Sequence, residues 1–365
     1  MSIVHMKKVT ALLSALVLAC VLSLGSLTAC STPQQQNAKP AATQQTQSAQ
    51  KASTKKVVDM AGRTVEIPSE VKSVATFGAV GVLNAFVECL GKGQLIKNEM
   101  PAHFTKTDKW FMQYKFAPQI KGAPVVENAN GVNTEAVLAL KPDVCITMQK
   151  DKLEQLEKAG QKVILIEWNN PEDVKQAVKL MGDVLGAQKQ AAQYSAYFDK
   201  MVEKAKNLTA KLPQSERVSC LYGDLENLKN PHIISEWWLT AAGGNSVSKA
   251  KHTANALQFT MEDLLSWQPQ VIFASVTNAN KVLANPQFAN IPAVKNKKVY
   301  NVPTVAHVWG NRTVEQPLTV LWSMHKMYPS LYSEADLSKD IKEFYATFFK
   351  YTMSADEINK IINYQ

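Results

Sequence analysis

The sequence predicts an α/β fold: two βα lobes with mostly parallel sheets, joined by one long backbone helix. Three observations predict it. Short apolar runs alternate with stretches of helical spacing, as in parallel strands covered on both faces. The same helix–Pro–strand unit occurs once in each half of the chain. Between the halves, residues 171–212 carry no strand pattern but two apolar stripes at the 3.6-residue period.

The chain opens on a leader, residues 1–29. Lys7 and Lys8 precede an apolar run over residues 9–24, and small residues follow. That order describes a secretory signal peptide, and the run is shorter than the roughly 20 residues of a membrane span. Leu27-Thr28-Ala29-Cys30 resembles the lipobox of bacterial lipoproteins. The resemblance implies lipid on Cys30 and an extracytoplasmic protein anchored to a bacterial membrane, at the cell surface or in the periplasm. Residues 30–54 are rich in Gln, Ala, Ser and Thr and contain no acidic or aromatic residue. They cannot bury a core and read as a flexible tether.

The whole chain has a net charge of +9, and removal of Lys7 and Lys8 with the leader leaves +7. A basic surplus suits an anionic ligand or surface. Without an arginine-rich patch it does not point to nucleic acid. Cys89, Cys145 and Cys220 form no Cys-x-x-Cys. Cys145 and Cys220 sit in apolar runs and read as buried free thiols.

The first lobe, residues 55–170, opens with two short strands around the turn Asp59-Met60-Ala61-Gly62-Arg63. Strands follow over 72–77, 143–148 and 162–166. Helices follow over 134–140, stopped by Lys141-Pro142, and over 152–159, closed by Gly160. In the linking region Val174, Val178, Met181 and Leu185 form one stripe; Phe198, Val202, Ala205, Leu208 and Leu212 form the other. Gly186 divides them, and the second piece, 188–212, would extend about 38 Å at 1.5 Å per residue. The second lobe, 213–330, alternates again. Its strands are 218–222, 271–274 and 298–302; its helices are 236–242, 261–267 and 314–327. Residues 331–365 form a helical tail.

The repeat aligns Glu135…Leu140-Lys141-Pro142-Asp143-Val144 with Glu262…Trp267-Gln268-Pro269-Gln270-Val271. In each unit a Glu opens a short helix, a Pro follows seven residues later and a buried strand comes next. With the lipobox, the tether and the long helix, this order resembles the substrate-binding lipoproteins of ABC importers for ferric siderophores, haem and vitamin B12, over about residues 55–330. The resemblance implies a rigid pair of lobes with the ligand in the cleft between them. It implies a monomer with no prosthetic group and no enzymatic activity, whose partners are an ABC permease and its ATPase. It also makes Glu135 and Glu262 the carboxylates that dock on permease arginines. In themselves they also suit helix starts.

In open α/β sheets ligands bind beyond the carboxyl ends of strands. That rule selects Phe77-Gly78-Ala79-Val80, Gln149-Lys150, Tyr222-Gly223-Asp224, Thr277-Asn278 and residues 303–312. The last of these carries His307, Trp309 and Arg312. His252 lies before the repeat helix of the second lobe. The placement of the two histidines resembles catecholate-siderophore binders of the same family, with His307 where those proteins use a Tyr. This implies His252 and His307 as metal ligands, to iron, nickel, copper, zinc or a haem or corrinoid metal. Ordinary imidazoles there would lose a metal below about pH 6. Trp110, Tyr114, Tyr222, Trp238 and Phe77 are the expected aromatic walls. The ligand so implied is a metal chelate: a ferric siderophore first, haem or a corrinoid next, a nickel complex third. His103, His232 and His325 carry no expected role. No His-Glu-x-x-His, Gly-x-Ser-x-Gly or Walker loop is present, so no enzyme class gains support. An adhesin would leave two βα lobes with matched glutamates unexplained, and a metal-chelatase-like enzyme would need catalytic residues or cluster cysteines that the sequence does not offer.

Overall fold

The computed structural model describes residues 53–364, except 129, 130, 169, 276 and 277. Cys30, the leader and most of the tether lie outside the described residues.

Strands β1 (Thr54–Val58) and β2 (Thr64–Pro68) form an antiparallel hairpin. Its turn motif is structural. Asp59 accepts from the backbone N–H of Ala61 and Arg63 at 3.1 and 3.0 Å. It also pairs with the Arg63 guanidinium at 2.6 Å. The same guanidinium donates to Val163 O at 2.9 Å, and Leu165 N–H donates to Asp59 at 3.2 Å. The motif thus fastens the hairpin to the edge of the first sheet.

That sheet has the order β3 (Val74–Phe77), β4 (Val144–Thr147), β5 (Val163–Leu165), all parallel. Helix α1 (Val80–Cys89) follows β3, α2 (Thr134–Leu140) precedes β4, and α3 (Lys150–Lys158) connects β4 to β5. Every residue of α1 is buried. A helix buried all round carries no amphipathic stripe, which is why periodicity gave no sign of it. Helices α4 (Asp173–Leu185) and α5 (Gln188–Thr209) form the linking region. The chain turns between them at Gly186, whose φ of 64° is left-handed and favours glycine. The buried stripe of α5 is Tyr194, Phe198, Met201 and Ala205, while Leu208 of the predicted stripe is exposed.

The second sheet, also parallel, has the order β7 (Asn245–Ser246), β6 (Ser219–Gly223), β8 (Val271–Ala274), β9 (Val299–Asn301). Around it lie α6 (Ile234–Ala241), α7 (Met261–Trp267) and α8 (Gln316–Met327). The tail forms α9 (Glu334–Phe344), a π-helical turn over Tyr345–Phe349 and α10 (Ala355–Ile362).

One face of each sheet enters a single shared core. Val74, Val144, Ile146 and Ile164 belong to the same core as Cys220, Tyr222, Val271 and Phe273, together with residues of the linking helices and α8. The opposite faces have separate cores. The tail belongs to the shared core: Phe116 of the first lobe stacks on Tyr345 at 5.7 Å, and Trp322 Nε1 donates to Ile362 O at 3.2 Å. Each such aromatic ring contributes roughly 1.5–3 kcal/mol on burial. Cys89, Cys145 and Cys220 are buried free thiols.

The repeat is conformational as well as sequential. Helices α2 and α7 end at Lys141 and Gln268, with φ of 51° and 44°, each directly before the proline. Asp143 N–H donates to Ser73 O at 3.1 Å, and Gln270 N–H donates to Ser219 O at 2.8 Å. The Asp143 carboxylate accepts from Ser73 N–H, and the Gln270 amide oxygen from Ser219 N–H.

Candidate functional site

A cleft of about 460 Å³ is lined from both lobes. The first lobe contributes Ala79 and Val82 at the start of α1, Met148 and Gln149 after β4, and Glu167 and Trp168 after β5. The second contributes His232, Asn255, His307, Asn311 and Arg312. The first-lobe residues obey the rule that ligands sit at carboxyl ends of parallel strands.

The loop carrying His307 and Arg312 is held from within. Glu315 is buried and accepts from Ala306 N–H at 3.0 Å, His307 N–H at 2.8 Å and Thr313 Oγ1 at 2.9 Å. Tyr345 of the tail donates a further hydrogen bond to it. Gln113 Nε2 bridges Gly81 O of the first lobe and Ala306 O of the second, at 3.1 and 2.5 Å. The two walls of the cleft are thus tied together behind it.

His307 stacks on Trp110 with ring centroids 5.3 Å apart, and its Nδ1 is buried without a hydrogen-bond partner. Burial, then His232 and Lys109, push its pKa down to about 3. His232 Nδ1 is likewise buried and unpartnered. Its pKa falls to about 4 through burial and the nearby Arg312, against a hydrogen bond with Asn255. Burial therefore holds both imidazoles in the neutral form, and each keeps a buried Nδ1 without a hydrogen-bond partner. A dry, cationic setting disfavours the charged form of His307, so it protonates at lower pH than the ordinary imidazole on which the pH 6 expectation rests. Arg312 supplies the positive charge. Burial lowers its pKa, but a guanidinium stays protonated, and its Nη2 donates to Asn255 Oδ1 at 2.8 Å. The acid of the lining, Glu167, is paired with Lys150 at 3.2 Å.

Several residues expected at the ligand lie elsewhere. His252 is buried at 5 % exposure and is not among the residues that line the cleft. Its Nδ1 meets Glu236 Oε1 at 2.8 Å, and Ser248 donates to the same oxygen at 2.7 Å. Burial alone would raise the Glu236 carboxyl; the hydrogen bonds from His252, Ser246 and Ser248 outweigh it and hold the pKa below the usual range. Tyr222, Trp238, Trp309 and Phe77 are fully buried in the core. Tyr222 and Trp238 act one step back. The Tyr222 ring packs where a Cβ on Gly310 would stand, 2.5 Å away, so only glycine fits there. Tyr222 donates to Asn311 Oδ1 at 2.8 Å, and Trp238 Nε1 donates to Gly310 O at 3.3 Å. Trp237, the neighbour that faces outward, lines an adjoining apolar cavity of about 490 Å³ that shares Arg312 with the cleft.

The aromatic cluster of the first lobe also divides. Trp110 backs His307, and Phe116 packs on the tail. Tyr114 bonds Glu99 at 2.9 Å and faces a separate 740 Å³ cavity beside His103 and Phe111. Sequence reasoning missed His232 and Trp168. Trp168 follows a predicted strand by two residues, so the strand-end rule could have found it. His232 has no such signal, since the fold alone brings it to the cleft. Glu135 and Glu262 are exposed, one near the start of each repeat helix. Among the described residues no group of three or more His, Cys, Asp or Glu is placed to hold a metal ion. No helix there is long and apolar enough to cross a membrane.

Residues 100–306, more than half the chain, match the sequence profile of the family described as "Periplasmic binding protein". The molybdate-binding protein MolA of Haemophilus influenzae is 24% identical over 319 residues, 77% of this chain and 83% of MolA. The iron(3+)-hydroxamate-binding protein YxeB of Bacillus subtilis is 24% identical over 195 residues, 53% of each chain. The crystal structure of a periplasmic solute binding protein from Veillonella parvula superimposes with a TM-score of 0.74 at 25% identity, covering 85% of this chain and 97% of the other.

Proposed function

The chain belongs to the periplasmic binding protein family, and from that premise we propose that it captures a compact, anionic metal species and delivers it to an ABC importer. Membership makes it a solute-binding protein that works outside the cytoplasm, not an enzyme. One observation carries the ligand class. The cleft presents the Arg312 guanidinium beside two neutral imidazoles and the amides of Gln149, Asn255 and Asn311, and its acid is neutralised by a lysine. Such a lining favours an anion through charge-assisted hydrogen bonds. The start of α1 adds partial positive charge. A volume of about 460 Å³ is at the lower part of the roughly 300–1,000 Å³ range of ligand pockets. With Tyr222, Trp238 and Trp309 in the core, the aromatic wall that favoured haem or a corrinoid is reduced to Trp168.

The similarity to MolA supports a metal oxyanion; the similarity to YxeB and the two neutral imidazoles support a second reading, a ferric siderophore whose open coordination positions His232 or His307 completes. A small nickel chelate fits between these. Lipid on Cys30 anchors the receptor, and Glu135 and Glu262 dock it on the permease. Calorimetric titration with molybdate, nickel–histidine, a ferric hydroxamate, a ferric catecholate, haem and cyanocobalamin tests the ligand class. Tightest binding of an anionic compact species, weakened by Arg312→Gln, supports it. Tightest binding of haem or cyanocobalamin would overturn it. Cys30→Ala should move the protein from the membrane to the soluble fraction.

A further inference from the structure

The repeat places more than a glutamate on each lobe. Leu138 and Leu265 are 49 % and 41 % exposed and are among seven large apolar residues left exposed in the described chain. They occupy the same position of the repeat, three residues after Glu135 and Glu262. Residues three apart on a helix are surface neighbours, so each leucine sits beside its glutamate. The register is fixed by structure as well as by sequence. Val137 and Leu264, one residue earlier, are both fully buried, and both helices end in a left-handed residue before proline. Each helix is also held at its start: Asn133 caps α2 and Thr260 caps α7. The two patches are therefore preformed and need little ordering on binding. Neither Glu135 nor Glu262 has an ion-pair partner among the described residues. The other exposed large apolar residues, Val58, Phe111, Val125, Leu208 and Leu331, fall outside the repeat.

We infer that Leu138 and Leu265 are paired apolar anchors that seat the receptor on a permease built of two like halves, each offering an apolar socket with a basic rim. This rests on the reading of the chain as an importer's receptor, and it adds leucine contacts to the proposed glutamate contacts. The physical reason is a division of labour. Free rim carboxylates steer and fix register, whereas affinity comes from a few desolvated anchors surrounded by polar contacts. A repeated patch on two pseudo-equivalent lobes matches a repeated surface. A single-copy partner would use one patch and leave the other exposed.

The test isolates the permease–ATPase complex from host membranes with the wild-type receptor, reconstitutes it in nanodiscs and measures receptor affinity. Glutamine is a good helix former, so Leu138→Gln and Leu265→Gln spare the fold. Each should weaken docking about tenfold and the pair about a hundredfold. Molybdate binding and melting temperature should stay unchanged, and Leu208→Gln and Leu331→Gln should have no effect. Leu→Met at both positions should retain docking. Glu135→Ala with Glu262→Ala separates the two ideas. Loss of docking in that variant, with normal docking of the double Leu→Gln protein, overturns the anchors and leaves the importer reading standing. Retrieval of no ABC complex by the wild type overturns both. A wild type that dimerises in sedimentation, with dimers abolished by the leucine changes and docking unaffected, assigns the patches to a second copy and also overturns the proposal.

Discussion

The two lobes share a scaffold and divide the chemistry. Each is built on a strand that pairs in parallel with the strand of the helix–Pro–strand unit, and in each a serine at the start of the first strand is bonded by the residue after the proline. Their strand-end loops differ. The first lobe gives the cleft a helix start, Met148, the Gln149 amide and Trp168, while the second gives it the guanidinium and both imidazoles. The duplicated parts thus carry the matched helix–Pro–strand units, and the guanidinium and imidazoles of the cleft sit on loops, which are free to diverge.

Breaking the second lobe's loop from behind should have the largest effect. Glu315→Ala leaves buried donors on Ala306, His307, Thr313 and Tyr345 without an acceptor. A loss of about 4 kcal/mol is expected for a disrupted buried polar network, read by urea denaturation. A loss below about 1 kcal/mol would show that the loop is held by packing alone.

Arg312→Gln removes the cleft's cation and keeps its shape. A hydrogen bond to a charged group contributes about 1.5–3 kcal/mol, so affinity for an anionic ligand should fall about 10- to 100-fold with little change in melting temperature. Lys150→Gln in the first lobe unpairs Glu167 and should weaken the same ligand by a smaller factor, because that ion pair is largely exposed to solvent. Equal effects at the two positions would remove the asymmetry between lobes.

The imidazoles predict a pH signature of the second lobe. As pH falls below about 6.5 the unfolded chain protonates both histidines. The folded chain resists until about 4 for His232 and about 3 for His307. The unfolded state therefore binds more protons in that window, and the stability present above pH 6.5 is lost progressively down to those values. His232→Asn with His307→Asn should flatten the fall in melting temperature between pH 7 and 4. Parallel curves for wild type and variant would refute the depressed pKa values.

The smallest stability effect is expected where the lobes are alike. Glu135→Lys and Glu262→Lys should each cost about 0.3–1 kcal/mol through the helix dipole, leave ligand affinity intact and abolish uptake by cells. Normal uptake by the doubly changed protein would detach both glutamates from docking.

Much of the scaffold was legible before folding, because it is local. Helix spacing, proline stops and alternating strand faces are properties of neighbouring residues, and the repeat at Glu135 and Glu262 marked α2, β4, α7 and β8 within a residue or so at either end. The wholly buried α1 escaped because it has no polar face to set a period. The site was legible by loop and not by residue. The strand-end rule led to Gln149, His307 and Arg312, but it also led to Phe77, Tyr222 and Trp309, which the core absorbs.

Local sequence sufficed for the α/β alternation, for the repeated unit of each lobe and for the positions of its matched glutamates. Each follows from short-range periodicity and from what proline and glycine allow. Contacts between distant segments settled that His232 and not His252 lines the cleft, that Trp237 and not Trp238 faces the adjoining cavity, and that burial pushes the His307 pKa down to about 3. Those outcomes depend on which distant side chains exclude water from a ring or pair with it. His252 Nδ1 found Glu236 sixteen residues away and left its Nε2 without a partner, whereas His232 and His307, far apart in the chain, are brought by the fold to one shared cleft.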